Sequence, residues 1–243
     1  MIAQLRSELL KQRSTPTTLY LFVAMIGFVA LAVALHVLAL SKSGLSTNAH
    51  QLAVFQVGTR AGMIFAGLAG VLAITAEIRH GTIRPTFLVS PRRWPVLAAK
   101  LAVGGLVGIV YGLLAEGLMA AAATVAFSAR GIPTLLTGGD YARILAGGAA
   151  AAALWAILGV GIGALVRNQV ASLVGLLSWM FLVESVSEGF VPGVARYTPG
   201  GAGLSLAGNE HKLSTAVGAL VLVLYAAASA AAGWVGTLRR DVA

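Results

Sequence analysis

The chain has 243 residues, of which 58% are hydrophobic and 10% are charged, and its net charge is +9. Soluble domains carry about 25% charged residues, so too few charges are present here to solvate a globular surface. The absence of cysteine excludes disulfide frameworks, thiol catalysis and thiolate-bound metals. The 17 basic residues are scattered between apolar runs, which does not favour nucleic-acid binding. The composition predicts an all-α polytopic membrane protein with one transmembrane domain over residues 1–243.

The first segment, 1–15, predicts an amphipathic helix that lies at the membrane interface. Ile2, Leu5 and Leu9 recur at helical spacing, and polar residues occupy most of the positions between them. A signal peptide is the alternative, but the uncharged run that follows, 16–41, is far longer than the roughly 7 to 15 residues of a signal h-region. We therefore interpret that run as the first span.

Six apolar runs follow one another, each close to the length of about 20 residues that a helix needs to cross a bilayer. Three of them are free of charge, whereas the second, third and fifth contain or adjoin Arg60, Glu116 and Glu184. The predicted transmembrane helices are 17–40, 56–76, 100–127, 144–166, 170–190 and 213–238.

The distribution of positive charge predicts the orientation of these spans. Eleven of the Lys and Arg residues fall on the same side of the spans as the N-terminus, and six fall on the other side. Cytoplasmic loops of membrane proteins carry the excess of Lys and Arg. Both termini are therefore expected in the cytoplasm.

Glycines predict close contacts between helices. Gly104, Gly108 and Gly112 recur at every fourth position of the third span, and three more glycines lie at 159–163 in the fourth. Small residues at such spacing let helices approach closely in lipid. Gly159 and Gly161 do not form a dinucleotide motif, because they lie inside an apolar helix rather than between a strand and a helix.

The segment between the second and third spans, from Glu77 to Trp94, combines charges with turn residues. A positively charged loop with no further role and a short cytoplasmic docking helix both fit this pattern. The segment contains an E-x-x-x-G-T run, then Ser before Pro, then basic residues. The residues that form this pattern are Glu77, Gly81-Thr82, Ser90-Pro91, Arg93 and Lys100. In this pattern the segment resembles a known family, the membrane subunits of ABC-2 type ATP-binding cassette transporters.

The resemblance extends to the amphipathic N-terminal helix, the six spans and the end of the fourth span, from Leu158-Gly159 to Arg167-Asn168. It implies the ABC-2 type fold and a permease of a bacterial cytoplasmic membrane that exports its substrate. The small outer loop at about 41–57 departs from members with a large outer domain. Residues 185–211 are expected to hold a short or irregular version of the family's outer re-entrant helices.

The resemblance also implies the partners of the chain. A second copy or a related chain would complete the path between spans two and five, as a homodimer or heterodimer within membrane lipid. A separate ATPase subunit would bind ATP and Mg, so this chain would hold no cofactor and would not itself be an enzyme. No G-x-x-x-x-G-K-[ST] run occurs in the sequence, in agreement with this expectation. The residues expected to couple to the ATPase are Glu77, Arg79, His80, Gly81, Thr82, Arg84, Pro91, Arg92 and Arg93.

Charged residues within the spans are further candidates, for the pathway or its gate, because burying an ionisable group at bilayer depth costs about 2.5 to 3.5 kcal/mol. Arg60 lies at a depth similar to that of Glu184 and Glu188, so we expect it to pair with one of them near an outer gate, within one chain or across the dimer. The alternative is that all three extend to the headgroups. Glu116 lies deeper and either bonds a neighbouring helix or faces the pathway.

Two other functions use the same carboxylates. An intramembrane enzyme would take Glu116 with Glu184 or Glu188 as its acid and base. A proton-coupled secondary transporter would carry protons on them. The four histidines do not form a metal-ligand spacing, and no nucleophile motif occurs. Spans of mostly small aliphatic residues fit a hydrophobic or amphipathic substrate for the permease.

Overall fold

A computed structural model of the protein describes residues 2–39, 45, 47–82, 93–209 and 213–239. Across these residues the chain is all-helical, as the composition predicts. One helical stretch contains a six-residue π-helical segment, Trp179–Glu184. The α-helices are α1 (Ile2–Ser14), α2 (Pro16–Ala39), α3 (Asn48–Arg79), α4 (Arg93–Ala129), α5 (Gly138–Val166), α6 (Gln169–Ser178), α7 (Ser185–Phe190), α8 (Pro192–Ala195), α9 (Pro199–Leu206) and α10 (Thr215–Arg239).

Within the described residues, six helical stretches are long and apolar enough to cross a membrane. They are α2, α3, α4, α5, the continuous stretch from α6 through the π-helical segment to α7, and α10. A helix rises about 1.5 Å per residue, so each of these stretches spans the roughly 30 Å hydrocarbon core. The chain is therefore a multi-pass membrane protein with the six spans that its apolar runs predict.

Three of these helices begin six to eight residues earlier than hydropathy predicts, and one of them is α4, which begins at Arg93 rather than at residue 100. α3 begins at Asn48 rather than near residue 56, so the second half of the expected outer loop is helical. The Thr47 side chain caps α3 by accepting a hydrogen bond from the backbone N–H of His50. α5 begins at Gly138, where Thr137 and Asp140 cap each other reciprocally. The first turns of α3 and α5 are polar, so an apolar run does not mark them.

The centre of the bundle consists of α3, α4 and α5. In their most apolar windows, 67%, 56% and 61% of the residues are buried, against 17% to 22% in the other three spans. Glycines allow the close approach of the central helices. A side-chain carbon at Gly112 would lie 2.6 Å from the Cα of Ala149, and Gly159 lies directly against the backbone of Gly67. The prediction that these glycines serve helix packing is confirmed.

Short helices follow the fifth span, in the region where the sequence predicts short or irregular ones. α8 and α9 occupy 192–206, and all eight residues of α9 are buried. The indole N–H of Trp155 on α5 donates to the carbonyl of Pro199 at 3.3 Å, which holds the start of α9 against the bundle. The last residues of the expected segment, 210–211, lie outside the described ranges.

Candidate functional site

Four charged side chains meet where α1 crosses the ends of α3 and α4. We call Glu8, Lys11, Glu77 and Lys100 the α1-end charge cluster. The Lys100 ammonium donates to Glu8 Oε2 at 2.8 Å and to Glu77 Oε1 at 2.7 Å. The Lys11 ammonium donates to Glu8 Oε1 at 2.7 Å and to Glu77 Oε1 at 2.8 Å. Two cations therefore bridge two carboxylates, and the cluster joins three helices.

Burial makes this cluster unusual. The Lys100 side chain is only 1% exposed, and its third proton goes to the carbonyl of Ala73 at 3.0 Å. Burial of the Lys11 ammonium opposes its charge, but its hydrogen bonds to Glu77 and Glu8 outweigh burial, so the pKa of Lys11 lies above its ordinary value of 10.5. Glu77 Oε2 is buried without a hydrogen-bond partner among the described residues. Removing either lysine would leave two carboxylates to share one cation.

The packing of α1 explains why the sequence alone did not point to Glu8. The expected amphipathic helix is present, but Glu8 is its one fully buried residue, while Ile2 and Leu10 are 72% and 64% exposed. The helix thus buries a glutamate against the bundle, leaves Leu5 and Leu9 half-buried and keeps Ile2 and Leu10 outside. A helix at a membrane interface gains by that arrangement, since lipid can cover its apolar side chains.

The residues expected to couple to an ATPase begin at this cluster. Glu77 points into it, toward Lys11 and Lys100. Arg79 and His80 are exposed at the end of α3, and Gly81 follows with a positive φ of 70°. The Thr82 hydroxyl donates to the carbonyl of Glu77 at 3.4 Å. Arg84, Pro91 and Arg92 lie outside the described residues, and Arg93 is described only as the first residue of α4.

At the opposite end of the bundle, the expected ion pair forms between Arg60 and Glu188. The guanidinium of Arg60 on α3 lies 3.2 Å from Glu188 Oε1 on α7, with the side chains 43% and 32% exposed. The sequence predicts a similar membrane depth for Arg60 and Glu188, and that was the signal for this contact. In the structure the two residues pair within one chain. Exposed pairs of this kind contribute about 1 kcal/mol or less.

Glu184 has a different setting from Glu188. Its Oε1 accepts the backbone N–H of Gly200 at 2.8 Å and the indole N–H of Trp179 at 3.1 Å. Glu184 ends the π-helical segment and is 4% exposed. Such segments widen a helix locally and recur at functional sites. The carboxylate fills the space where a side chain at Gly200 would lie, so Glu184 fixes the start of the buried helix α9.

Glu116 lies at the centre of the bundle and is completely buried. Its Oε1 accepts a hydrogen bond from the Thr59 hydroxyl on α3, as the first of the two expectations for this residue requires. Its Oε2 has no hydrogen-bond partner among the described residues. Gly58 and Gly148 make room for it, because a side-chain carbon at either would lie 2.7 Å from a Glu116 atom. The carboxyl thus joins three helices in a space built for it.

Sequence reasoning missed two buried amides on α3. Gln51 donates to the carbonyls of Leu45 at 3.1 Å and Pro133 at 2.9 Å, and it accepts the N–H of Leu135 at 2.9 Å. The side chain of Asn209 donates to Gln56 at 2.9 Å. Gln51 and Gln56 stand just before the apolar run of α3, and this position was the signal that could have identified them. Buried polar side chains there need hydrogen-bond partners.

The structure does not bring the three candidate carboxylates to a shared metal site. Within the described ranges, no group of three His, Asp or Glu side chains is arranged to hold an ion. No family model matches the chain, and no curated protein is significantly similar to it. The function of the chain is therefore inferred from the family-like residues between Glu77 and Lys100 and from the α1-end charge cluster.

Proposed function

We propose that this chain is the permease subunit of an ABC-2 type ATP-binding cassette transporter. It would export a hydrophobic or amphipathic substrate from the cytoplasm of a bacterium. Support comes from the family-like residues between Glu77 and Lys100, together with six membrane-length helices and the helix α1 at their edge. The observation that carries the proposal is the α1-end charge cluster, because it lies where the family-like segment begins.

The cluster gives that segment a mechanical connection to the bundle. Glu77 is the first residue of the family-like run, and Lys100 is the last. Their direct ion pair at 2.7 Å clamps the two ends of the run together, and Glu8 adds α1 to the clamp. A push on residues 77–100 would therefore move α1, α3 and α4 as a rigid body. Rigid-body movement of helices is one established way to switch between two conformations.

The remaining spans have surface for a second membrane chain. In α2, in the fifth span and in α10, 78% or more of the most apolar window is not buried inside the chain. Lipid and a second permease chain, either a copy or a relative, would share this surface. ATP and Mg would be bound by a separate ATPase subunit on the α1 side of the membrane.

Affinity purification from the native host tests this proposal. The tagged chain is extracted in mild detergent, and mass spectrometry identifies the proteins that remain bound. We expect an ATPase to copurify with the wild-type chain. A Gly81→Val variant should release it, because a valine strains the positive φ of 70° in the coupling segment.

Gly131→Val is the matched control. Gly131 follows α4 at the opposite end of the bundle, has a φ of 65° and, like Gly81, has open space around its Cα. The control should retain the ATPase. Purification of the wild-type chain without any ATPase, or equal release by both variants, would contradict the proposal. Transport that follows a proton gradient without ATP would favour a carrier that uses Glu116, Glu184 and Glu188.

A further inference from the structure

A cleft of about 520 Å³ opens beside the α1-end charge cluster. It lies between α1, the first turns of α2 and the last turns of α3, and Gln169 at the start of α6 closes one side. This volume is within the range of about 300 to 1,000 Å³ that small-molecule sites occupy. Four of its lining residues, Glu77, Arg79, His80 and Thr82, belong to the family-like segment, and most of the others come from the first 21 residues and from α3.

The walls of the cleft divide into a polar rim and an apolar floor. Lys11, Thr17 and Arg79 are on the rim, whereas Leu21, Ala69 and Leu72 line the floor. α2 enters the membrane at this point, and α3 leaves it. The polar rim therefore lies at the level of the lipid headgroups, and the apolar floor lies at the level of the hydrocarbon. An amphiphile in the membrane places its polar and apolar parts at these same two levels.

The charges of the cleft favour an anion. Glu8 and Glu77 face into it, but Lys11 and Lys100 compensate both of them. Arg79 is exposed on the rim and forms no ion pair with a described residue. One positive charge therefore remains available in a cleft that the hydroxyl-bearing Thr17 also lines. A phosphate takes hydrogen bonds from guanidinium and hydroxyl groups of this kind.

We propose that this cleft binds an anionic phospholipid of the leaflet on the α1 side. The headgroup phosphate lies against Arg79 and Thr17, and the acyl chains cover Leu21 and Leu72. The lipid packs between α1 and the spans and holds α1 against the bundle. This inference requires only that the chain is a membrane protein, and it stands whether or not the chain is a permease.

Native mass spectrometry of the full chain tests the lipid site. The protein is purified in detergent and titrated with phosphatidylglycerol or, in parallel, with phosphatidylcholine. We expect a one-to-one complex that forms preferentially with phosphatidylglycerol. Arg79→Gln should weaken it about tenfold, the effect of losing one charge-assisted hydrogen bond. Leu72→Trp should weaken it independently by filling the apolar floor.

Arg13→Gln is the matched control, because Arg13 is an exposed cation on α1 that does not line the cleft. This variant should bind phosphatidylglycerol like the wild type, and the melting temperature of Arg79→Gln in detergent should be unchanged. Equal weakening by Arg13→Gln would show general surface attraction and overturn the proposal. Equal binding of phosphatidylcholine would overturn it as well. Displacement by millimolar glycerol phosphate alone would assign the site to a free headgroup, against a lipid.

Discussion

The two ends of the helix bundle hold their charges in opposite ways. At the α1 end, Lys100 is 1% exposed and bridges two carboxylates from other helices. At the opposite end, Arg60 and Glu188 meet with 43% and 32% of their side chains exposed. Solvent and headgroups screen the second pair but not the first. In this bundle, therefore, an ion pair can determine the positions of helices only where it is buried.

The largest effect is expected from Lys100→Met. This change keeps most of the side-chain volume but leaves Glu8 and Glu77 with Lys11 as their only cation. Breaking a buried ion pair from one side costs about 3 to 5 kcal/mol. We expect a loss of that size in the free energy of unfolding, measured by reversible denaturation in mixed micelles.

The control for Lys100→Met removes the charges from both sides. In the variant Glu8→Gln, Lys100→Met, the remaining carboxylate of Glu77 still pairs with Lys11, so much of the lost free energy should return. A Lys100→Met protein as stable as the wild type would contradict the view that the cluster holds α1, α3 and α4 together.

The sequence indicates this cluster only in part. Lys100 interrupts an apolar run, and an interrupting charge in a span requires a partner. Its partner Glu8 lies 92 residues away on a surface helix whose pattern puts glutamate on the polar side. The contact between Arg60 and Glu188 was easier to predict, because both residues lie at a similar predicted depth near the outer ends of their spans. Six spans followed from hydropathy, whereas the early starts of α3 and α5 depend on partners for Gln51 and on the capping by Asp140.

A second test concerns the buried carboxylate at the opposite end. Glu184→Ala removes the acceptor of the Gly200 N–H and the Trp179 N–H, and it leaves one buried and one part-buried donor without a partner. Such a loss costs about 1 to 3 kcal/mol of unfolding free energy. Glu184→Gln keeps the same oxygen as acceptor and should be close to the wild type. If Glu184→Gln and Glu184→Ala lose the same free energy of unfolding, the charge of Glu184 contributes to stability. A buried charge would then determine helix positions at this end of the bundle as well.

A third test uses the titration of Lys11. The pKa of Lys11 is raised in the folded protein, so the stabilisation by its charge is complete below the ordinary value of 10.5. It declines as the pH rises through the folded value. The wild type should therefore lose more stability than Lys11→Gln as the pH rises above 10.5, whereas the two proteins should change in parallel at lower pH. Parallel curves would mean that Lys11 contributes no charge-dependent stability.

Glu116 provides a test at the middle of the bundle. Lys100 pairs with two carboxylates, whereas Glu116 accepts a hydrogen bond from the neutral hydroxyl of Thr59. No described cation lies within salt-bridge distance of Glu116. Glu116→Gln keeps an oxygen for Thr59 and breaks no ion pair. We expect the free energy of unfolding to change by less than about 1 kcal/mol. A loss comparable with that of Lys100→Met would reveal a charge that Glu116 compensates, and transport unchanged in this variant would exclude a need for its ionisation.

The smallest effect is expected for Arg60 and Glu188, and a double-mutant cycle is the way to resolve it. Arg60→Gln and Glu188→Gln each remove one charge, and the double variant removes both. The coupling free energy between them should be about 0.2 to 1 kcal/mol and should shrink as salt rises, because the pair is partly exposed. A coupling above about 2 kcal/mol that ignores salt would mean that lipid or a second chain buries the pair in the membrane. That outcome would make the opposite end resemble the α1 end, and it would favour a role for Arg60 and Glu188 at a contact between permease chains.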